Sequence, residues 1–373
     1  MEVLVDQPTT KITQYAYVTL VMINPKYIIG AITLAKSLKL SNTKNDIVCM
    51  VTSDIYNSIK YRKILLNYFN YVIEINYLSF DTNPFKTKKH QNMYKWIDKS
   101  YTKLTVMELE QYEKVCLLDC DMVITNNIDH LFKLETPIGV FSNQYFDNID
   151  PESNSITIKT NYTNKKKIIN NLEKNHFYKN ISIGKTGDYY QNIKPFEKIS
   201  PDLIKKALYN NGFVVSGNII IIKPSKSEFH EMKDIIYKLQ PFGFNCSSGG
   251  DEQCISYYQS VIKSRPWTCL KQSYNVVPWK LKATLLKNQK PFIIHYNKLP
   301  KPWDINRNKW VDNEIWWNYF ISIHEHKQIC IDLKINFIDY KLDYCPYCYI
   351  LKKQKNNHKL LECINLYIFK DFL

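Results

Sequence analysis

Glycine is scarce in this chain, 9 of 373 residues, while Lys, Asn, Ile and Tyr are plentiful, with 28 Tyr. AT-rich codons encode these four residues, so the bias reads as genomic before functional, and it fits a large DNA virus or an AT-rich microbe. No run of about 18 or more apolar residues occurs, which excludes a transmembrane helix of ordinary length. The opening stretch MEVLVDQPTTKITQ has no apolar core, so a secretory signal is not expected. The ten Cys are then expected as reduced thiols in the cytoplasm, the host cytoplasm if the chain is viral. The N-x-S/T triplets at Asn161, Asn180 and Asn245 are expected to stay idle. No internal repeat is visible.

The net charge of +15 favours phosphate-bearing ligands, nucleic acid and anionic surfaces alike. Much of the excess lies in Lys165–Lys167 and Lys352–Lys355, which read as solvated stretches. No aromatic-basic recognition motif accompanies the charge, so nucleic acid is not an expected partner.

What the chain does contain is α/β patterning. Tyr17–Ile23 is a β-type apolar run, broken by Asn24-Pro25. Ile28, Ile29, Ile32, Leu34, Ala35 and Leu38 then recur at helical spacing. Ile47–Val51 and Tyr71–Ile75 are further strands, and this alternation implies a parallel sheet. Ser100–Glu110 reads as a helix and Lys114–Leu118 as the next strand. A polar stretch over about 144–210 reads as an insertion, helical near 168–172 and 203–208. Core patterning resumes at Phe213–Lys223, with helices over 227–239 and 256–261 and a short strand at Phe292–Ile294. After Trp303 the chain turns helical and aromatic.

Four places carry chemistry. Asp119-Cys120-Asp121 follows a strand directly, where ligands of open α/β sheets bind. Two carboxylates one residue apart repel in a low dielectric, and a hard divalent cation relieves the conflict; an ordinary strand-end turn fits the triplet too. His295 ends another apolar run and could join the carboxylates as a ligand, or be a hydrogen-bonded structural residue. Lys301, between Pro300 and Pro302, could face a leaving phosphate. Gly249-Gly250-Asp251-Glu252-Gln253 offers either close backbone approach to a sugar or a helix N-terminus. Ser216-Gly217-Asn218 breaks an apolar run, as a ligand approach or a β-bulge would.

In order, the chain reads Asn24-Pro25-Lys26-Tyr27 after a strand, Thr102-Lys103-Leu104, Asp119-Cys120-Asp121, Ser216-Gly217-Asn218, Gly249–Gln253 and His295–Trp303 with its Lys-Pro-Trp. The series, over roughly residues 16–303, resembles the glycogenin-like glycosyltransferases of family 8. The resemblance implies a GT-A fold, a mixed sheet flanked by helices, spanning residues 1–303. A helical, basic extension over 304–373 follows. It implies a retaining transfer of a hexose from a UDP-sugar to an acceptor, with Mn2+ or Mg2+. Asp119, Asp121 and His295 would hold the metal, Asp119 also lying near the donor ribose. Lys301 would hold the diphosphate, Leu20, Asn24 and Tyr27 the base and ribose, and Ser216-Gly217 the sugar side. Lys103 and Asp251 would approach the transferred sugar, and Gln253, or Glu252, the reacting carbon.

The chain departs from the family at Lys298, where the motif has Gly, at Ser216, where it has Asn, and at Glu252, between Asp251 and Gln253. Residues 276–289 hold no Tyr, so the acceptor is expected to be external: a glycan, a protein or a small polyol. A homodimer is among the assemblies the sequence allows. The competing reading is an inactive protein that keeps the nucleotide-sugar site for binding. Cys345 and Cys348, with His358 and Cys363, read as reduced thiols rather than a zinc site.

Overall fold

The longest apolar runs become the middle of a sheet. A computed structural model describes residues 3–4, 12–80, 96–141, 190, 193–209, 214–239, 250–286, 289–297, 299–304 and 311–337. Its strands are β1 (Val3–Leu4), β2 (Tyr15–Val21), β3 (Asp46–Thr52), β4 (Tyr71–Ile75), β5 (Lys114–Leu118), β6 (Met122–Ile124), β7 (Ile138–Phe141), β8 (Lys198–Ile199), β9 (Val215–Ile222), β10 (Trp267–Leu270) and β11 (Ile293–His295). Nine of them form one sheet in the order β1-β4-β3-β2-β5-β9-β7-β10-β8, and β6 pairs with β11 in a second. β4, β3, β2 and β5 run parallel. β9 is antiparallel to both of its neighbours, β5 and β7. The α/β class and the mixed sheet with flanking helices are thus as the sequence implies.

Strand alternation sorts the side chains onto two faces. Tyr17, Val21, Ile47, Cys49, Val51, Cys116, Leu118, Ile219 and Ile221 enter one core. Ala16, Val18, Leu20, Val48, Met50, Val115, Leu117, Ile220 and Ile222 enter the other. β3 is buried along its whole length, as a parallel strand covered on both faces must be.

The first face is covered by α1 (Tyr27–Leu40), by α2 (Ser53–Tyr56) and by α3 (Ile59–Leu66). On the second face lie a 3-10 helix over Ile97–Glu108, α4 (Pro201–Tyr209), α5 (Lys226–Leu239) and α6 (Gly250–Tyr257). Then come α7 (Pro278–Leu286), α8 (Val311–Ile321) and α9 (His326–Asp332). Trp316, Trp317 and Phe320 of α8 share the first core with Ile28 and Ile32 of α1.

Two details differ from the sequence reading. The segment expected as a helix over 100–110 is a 3-10 helix over Ile97–Glu108. Tyr101, Leu104 and Met107 are three apart, the repeat of that tighter helix. The expected helix over 256–261 begins earlier, as α6, and runs on into a π-turn at Tyr258–Ile262. The expected helix at 168–172, the Lys-rich stretches, the Asn161, Asn180 and Asn245 triplets, Gly249, Lys298 and the Cys345/Cys348 tail lie outside the described residues.

Candidate active site

Backbone pairing, rather than local sequence, brings the distant site residues together. Asp119 leaves β5 with its N–H on the Asn218 carbonyl of β9 at 3.1 Å. Three residues on, at Met122, β6 begins and pairs antiparallel with β11 in the register Met122↔His295, Val123↔Ile294 and Ile124↔Ile293. The Tyr296 N–H then donates to the Asp121 carbonyl at 2.9 Å. This register sets the imidazole of His295, the last residue of β11, against Asp121. One ligand atom from each of Asp119, Asp121 and His295 lies within 4.8 Å of the others.

Charge alternates along the site. Lys103 Nζ lies 2.6 Å from Asp119 Oδ1 and 3.8 Å from Asp251 Oδ2. His295 Nε2 is 3.9 Å from Asp119 Oδ2 and 3.2 Å from Asp121 Oδ1. Lys301 Nζ donates to Asp121 Oδ2 at 2.5 Å and to the Tyr296 carbonyl at 2.9 Å. Burial alone would raise the Asp121 carboxyl, but Lys301 and His295 outweigh it and hold the group well below the ordinary carboxylate range. Asp251 is shifted the other way: burial raises it, Asp119 adds to the rise, and Lys103 opposes. Burial would lower Lys103, yet Asp119 and Asp251 together keep it firmly protonated. The Cys120 thiol is pushed well up by burial and by the flanking carboxylates, so it stays neutral and is no anionic ligand.

The donor set fits a hard divalent cation. Asp121 Oδ1 is buried, and among the described residues it faces His295 Nε2 at 3.2 Å with no further donor. A buried carboxylate oxygen so sparsely partnered is costly, and a cation shared with Asp119 and the imidazole would satisfy it.

The sugar-side residues converge from three elements. Asp251 and Gln253 sit in the first turn of α6, both buried. A Cβ on Gly217 would meet Glu252 Cγ at 2.6 Å and Asp251 Oδ2 at 2.9 Å, so only glycine lets β9 approach this helix. Glu252 Oε1 accepts from the Gly217 N–H at 2.7 Å, which locks the approach. The register shift of β9 against β7 falls between Gly139 and Phe141, opposite the stretch holding Ser216, Gly217 and Asn218. The bulge reading of that stretch holds, and the close approach there is that of α6. The glycine-containing turn is likewise a helix start, with Gly250 pressed against the ring of Tyr101.

At the end of β2, Leu20 is buried, Asn24 exposed and Tyr27 half-buried. Asn24 Oδ1 accepts from the Lys26 N–H at 3.0 Å, which helps start α1. Ile23 takes a left-handed conformation, φ 67°, unusual for a β-branched residue. Its N–H donates to the Tyr77 hydroxyl at 3.1 Å, and that hydroxyl donates to Asp54 at 3.0 Å. Tyr27 packs edge-on against Trp303 at 5.3 Å.

Four residues gain roles here that the sequence reading did not assign. A Cβ on Gly30 would lie 2.6 Å from the Cys120 carbonyl and 2.8 Å from the Trp303 ring, so this glycine seats α1 under the aspartate turn. Asn218 and Asn275 both reach His295 Nδ1, at 3.1 and 3.0 Å. Tyr274 is buried, its ring stacked on Phe292 at 4.6 Å and its hydroxyl 2.6 Å from His130 Nε2. Burial pushes its phenol up to about 12.

Residues 18–178 match the model of glycosyl transferase family 8. An uncharacterized protein of Acanthamoeba polyphaga mimivirus is 27% identical over 307 residues, 80% of this chain and 85% of that one. Human glycogenin-1 is 34% identical over 124 residues, 33% of this chain and 33% of glycogenin, so the match spans about a third of that relative. Among solved structures, the galactosyltransferase LgtC in complex with donor and acceptor sugar analogs aligns with a TM-score of 0.47 at 12% identity, covering 83% of this chain and 96% of that one. The resemblance carried by the six motifs is borne out, and the likeness to a mimivirus protein fits a viral member. No helix among the described residues is long and apolar enough to cross a membrane.

Proposed function

We propose, taking the match of residues 18–178 to family 8 glycosyl transferases as the premise, that this chain moves a hexose from a UDP-sugar to an external acceptor with retention at C1. The observation that carries the reading is the meeting of Asp119, Asp121 and His295, with Asp121 Oδ1 buried against the imidazole. These three residues would hold Mn2+, or Mg2+, which supplies positive charge for the diphosphate of the donor.

The remaining roles belong to side chains. Lys301, now on Asp121, is the cation that can turn to a phosphate oxygen as negative charge develops on the leaving diphosphate. Asn24 and Tyr27 flank the nucleoside end, with Leu20 beneath them. Lys103 bridges Asp119 and Asp251, and Asp251 and Gln253 orient the hexose from α6, with Ser216-Gly217 at their back. The C1–O bond to the β-phosphate breaks with its electron pair going to UDP. The acceptor oxygen bonds to C1 on the same face, and its proton passes to the departing phosphate oxygen. The cations facing the leaving group are the main stabilising influence. Buried Tyr274 and the lack of Tyr over 276–289 support an external acceptor.

The test is UDP release from a panel of UDP-sugars with Mn2+, for wild type and Asp121→Ala. Release by wild type that disappears in the variant supports the reading. Equal inactivity of both, with UDP still bound by wild type, would leave a binding protein instead.

A further inference from the structure

We propose that Asn275 is a positioning residue that fixes the tautomer and ring plane of His295, with Asn218 as the adaptable second side of the clamp. The inference rests on the metal reading above. Asn275 precedes Val276, which bridges in parallel to Ile294 of β11, and the His295 N–H donates to the Val276 carbonyl at 2.9 Å. The backbone therefore holds Asn275 beside the imidazole. Its Oδ1 lies 3.0 Å from His295 Nδ1, and Asn218 Nδ2 lies 3.1 Å from the same nitrogen. All three residues are buried, at 3% exposure for His295, 5% for Asn218 and 7% for Asn275.

One ring nitrogen thus meets an acceptor and a donor together. A proton on Nδ1 satisfies Asn275 Oδ1 and confronts the Asn218 amide N–H. A lone pair there does the reverse. The outer nitrogen decides between them. With a cation between the imidazole and the aspartate pair, where Nε2 and Asp121 Oδ1 now lie 3.2 Å apart, a proton on Nδ1 would leave the neutral ring with its lone pair on Nε2, facing that cation. That is the tautomer a metal ligand needs, and the opposite nitrogen of such a ligand commonly donates to an oxygen. Asn218 Oδ1 is buried without a partner among the described residues, so this carboxamide is the one with reason to turn, presenting oxygen to Nδ1–H. Asn275 is the required acceptor, and Asn218 follows the ring.

Two measurements on the full chain decide this. Long-range 1H–15N correlation of His-labelled protein saturated with diamagnetic Mg2+ reads the His295 tautomer independently of activity. Nδ1–H supports the proposal, and Nε2–H overturns it. Mn2+ titration followed by electron paramagnetic resonance reads the consequence. Asn275→Ala weakens Mn2+ by about 10- to 100-fold, Asn275→Asp restores most of the loss, and Asn218→Val costs less than Asn275→Ala. Equal affinity for wild type and Asn275→Ala, failure of Asn275→Asp to restore it, or a larger loss in Asn218→Val would overturn it. Wild type that shows Nδ1–H but binds no Mn2+ would count against the metal reading itself.

Discussion

The two walls of the site are built by different means. The wall of Asp121, His295 and Lys301 is set by backbone register: β6 and β11 pair residue by residue, and a peptide hydrogen bond ties Tyr296 to Asp121. The wall of Lys103, Asp119, Asp251 and Gln253 is assembled by side chains from the 3-10 helix, the end of β5 and the first turn of α6. The first is more deeply buried: the Asp121 side chain is 9% exposed, against 25% for Asp119. Register holds atoms in place whatever the charge state. Ion pairs hold them only while the charges persist. The first wall therefore suits a fixed cation, and the second suits contacts that adjust as a sugar reacts.

Asp121→Ala should be the largest single loss. It strips the buried Lys301 of its partner, and breaking a buried pair from one side costs about 3–5 kcal/mol. Denaturant unfolding should report that cost, and Mn2+ titration should show binding lost. A mild destabilisation would mean that Lys301 finds another partner and that the wall is less rigid than its register suggests.

Two glycines separate the walls next. Gly30→Ala drives a Cβ against the Cys120 carbonyl, and Gly250→Ala drives one against the buried Tyr101 ring. Each should cost about 1–3 kcal/mol as overpacking. Gly30→Ala should also weaken Mn2+, because the aspartate turn must shift. Gly250→Ala should spare Mn2+ and slow UDP release. The same loss of Mn2+ binding in both would erase the distinction between the walls.

Lys103→Met should slow UDP release from the donor by roughly 100-fold, the effect of removing one aligned charge from a transition state. Mn2+ affinity should not fall, since the variant removes a cation that competes for Asp119.

The smallest effect concerns Asp129, which ties the start of β2 to the turn before β3. Asp129 accepts from Tyr17 at 2.7 Å, Thr43 at 2.6 Å and the Lys44 N–H at 3.2 Å. Burial would raise its carboxyl, but these donors together hold it below the ordinary value. A depressed folded pKa contributes stability that is complete above the unfolded carboxylate pKa. The contribution is lost as pH falls through the folded value. Asp129→Asn should therefore cost about 1 kcal/mol at neutral pH and remove part of the acid-side slope in unfolding scans, with Mn2+ binding unchanged.

Much of the fold was legible because central strands need long apolar runs. β4 and β5 match the reading residue for residue, and β2, β3 and β9 lie within two residues of it. β6, β7 and β10 are three or four residues long and carry no alternation long enough to notice. In the site, Asp119, Asp121, His295 and Lys301 were legible through chemistry at strand ends and motif order. Asn218 was legible only as part of a break in an apolar run, not as a partner of His295, and Asn275 and Gly30 were not legible. An amide beside an imidazole, or a missing Cβ under a carbonyl, leaves no spacing signal. Each acquires meaning only once β6–β11 pairing fixes which residues meet.

Crystals grown with Mn2+ and UDP, measured at the manganese absorption edge, test the shared ion most directly. The expected result is one strong anomalous peak in contact with carboxylate oxygens of Asp119 and Asp121 and with His295 Nε2, and Lys301 released from Asp121 toward phosphate. A peak elsewhere on the molecule, or Lys301 still bonded to Asp121 with no metal between the aspartates and the imidazole, would contradict it.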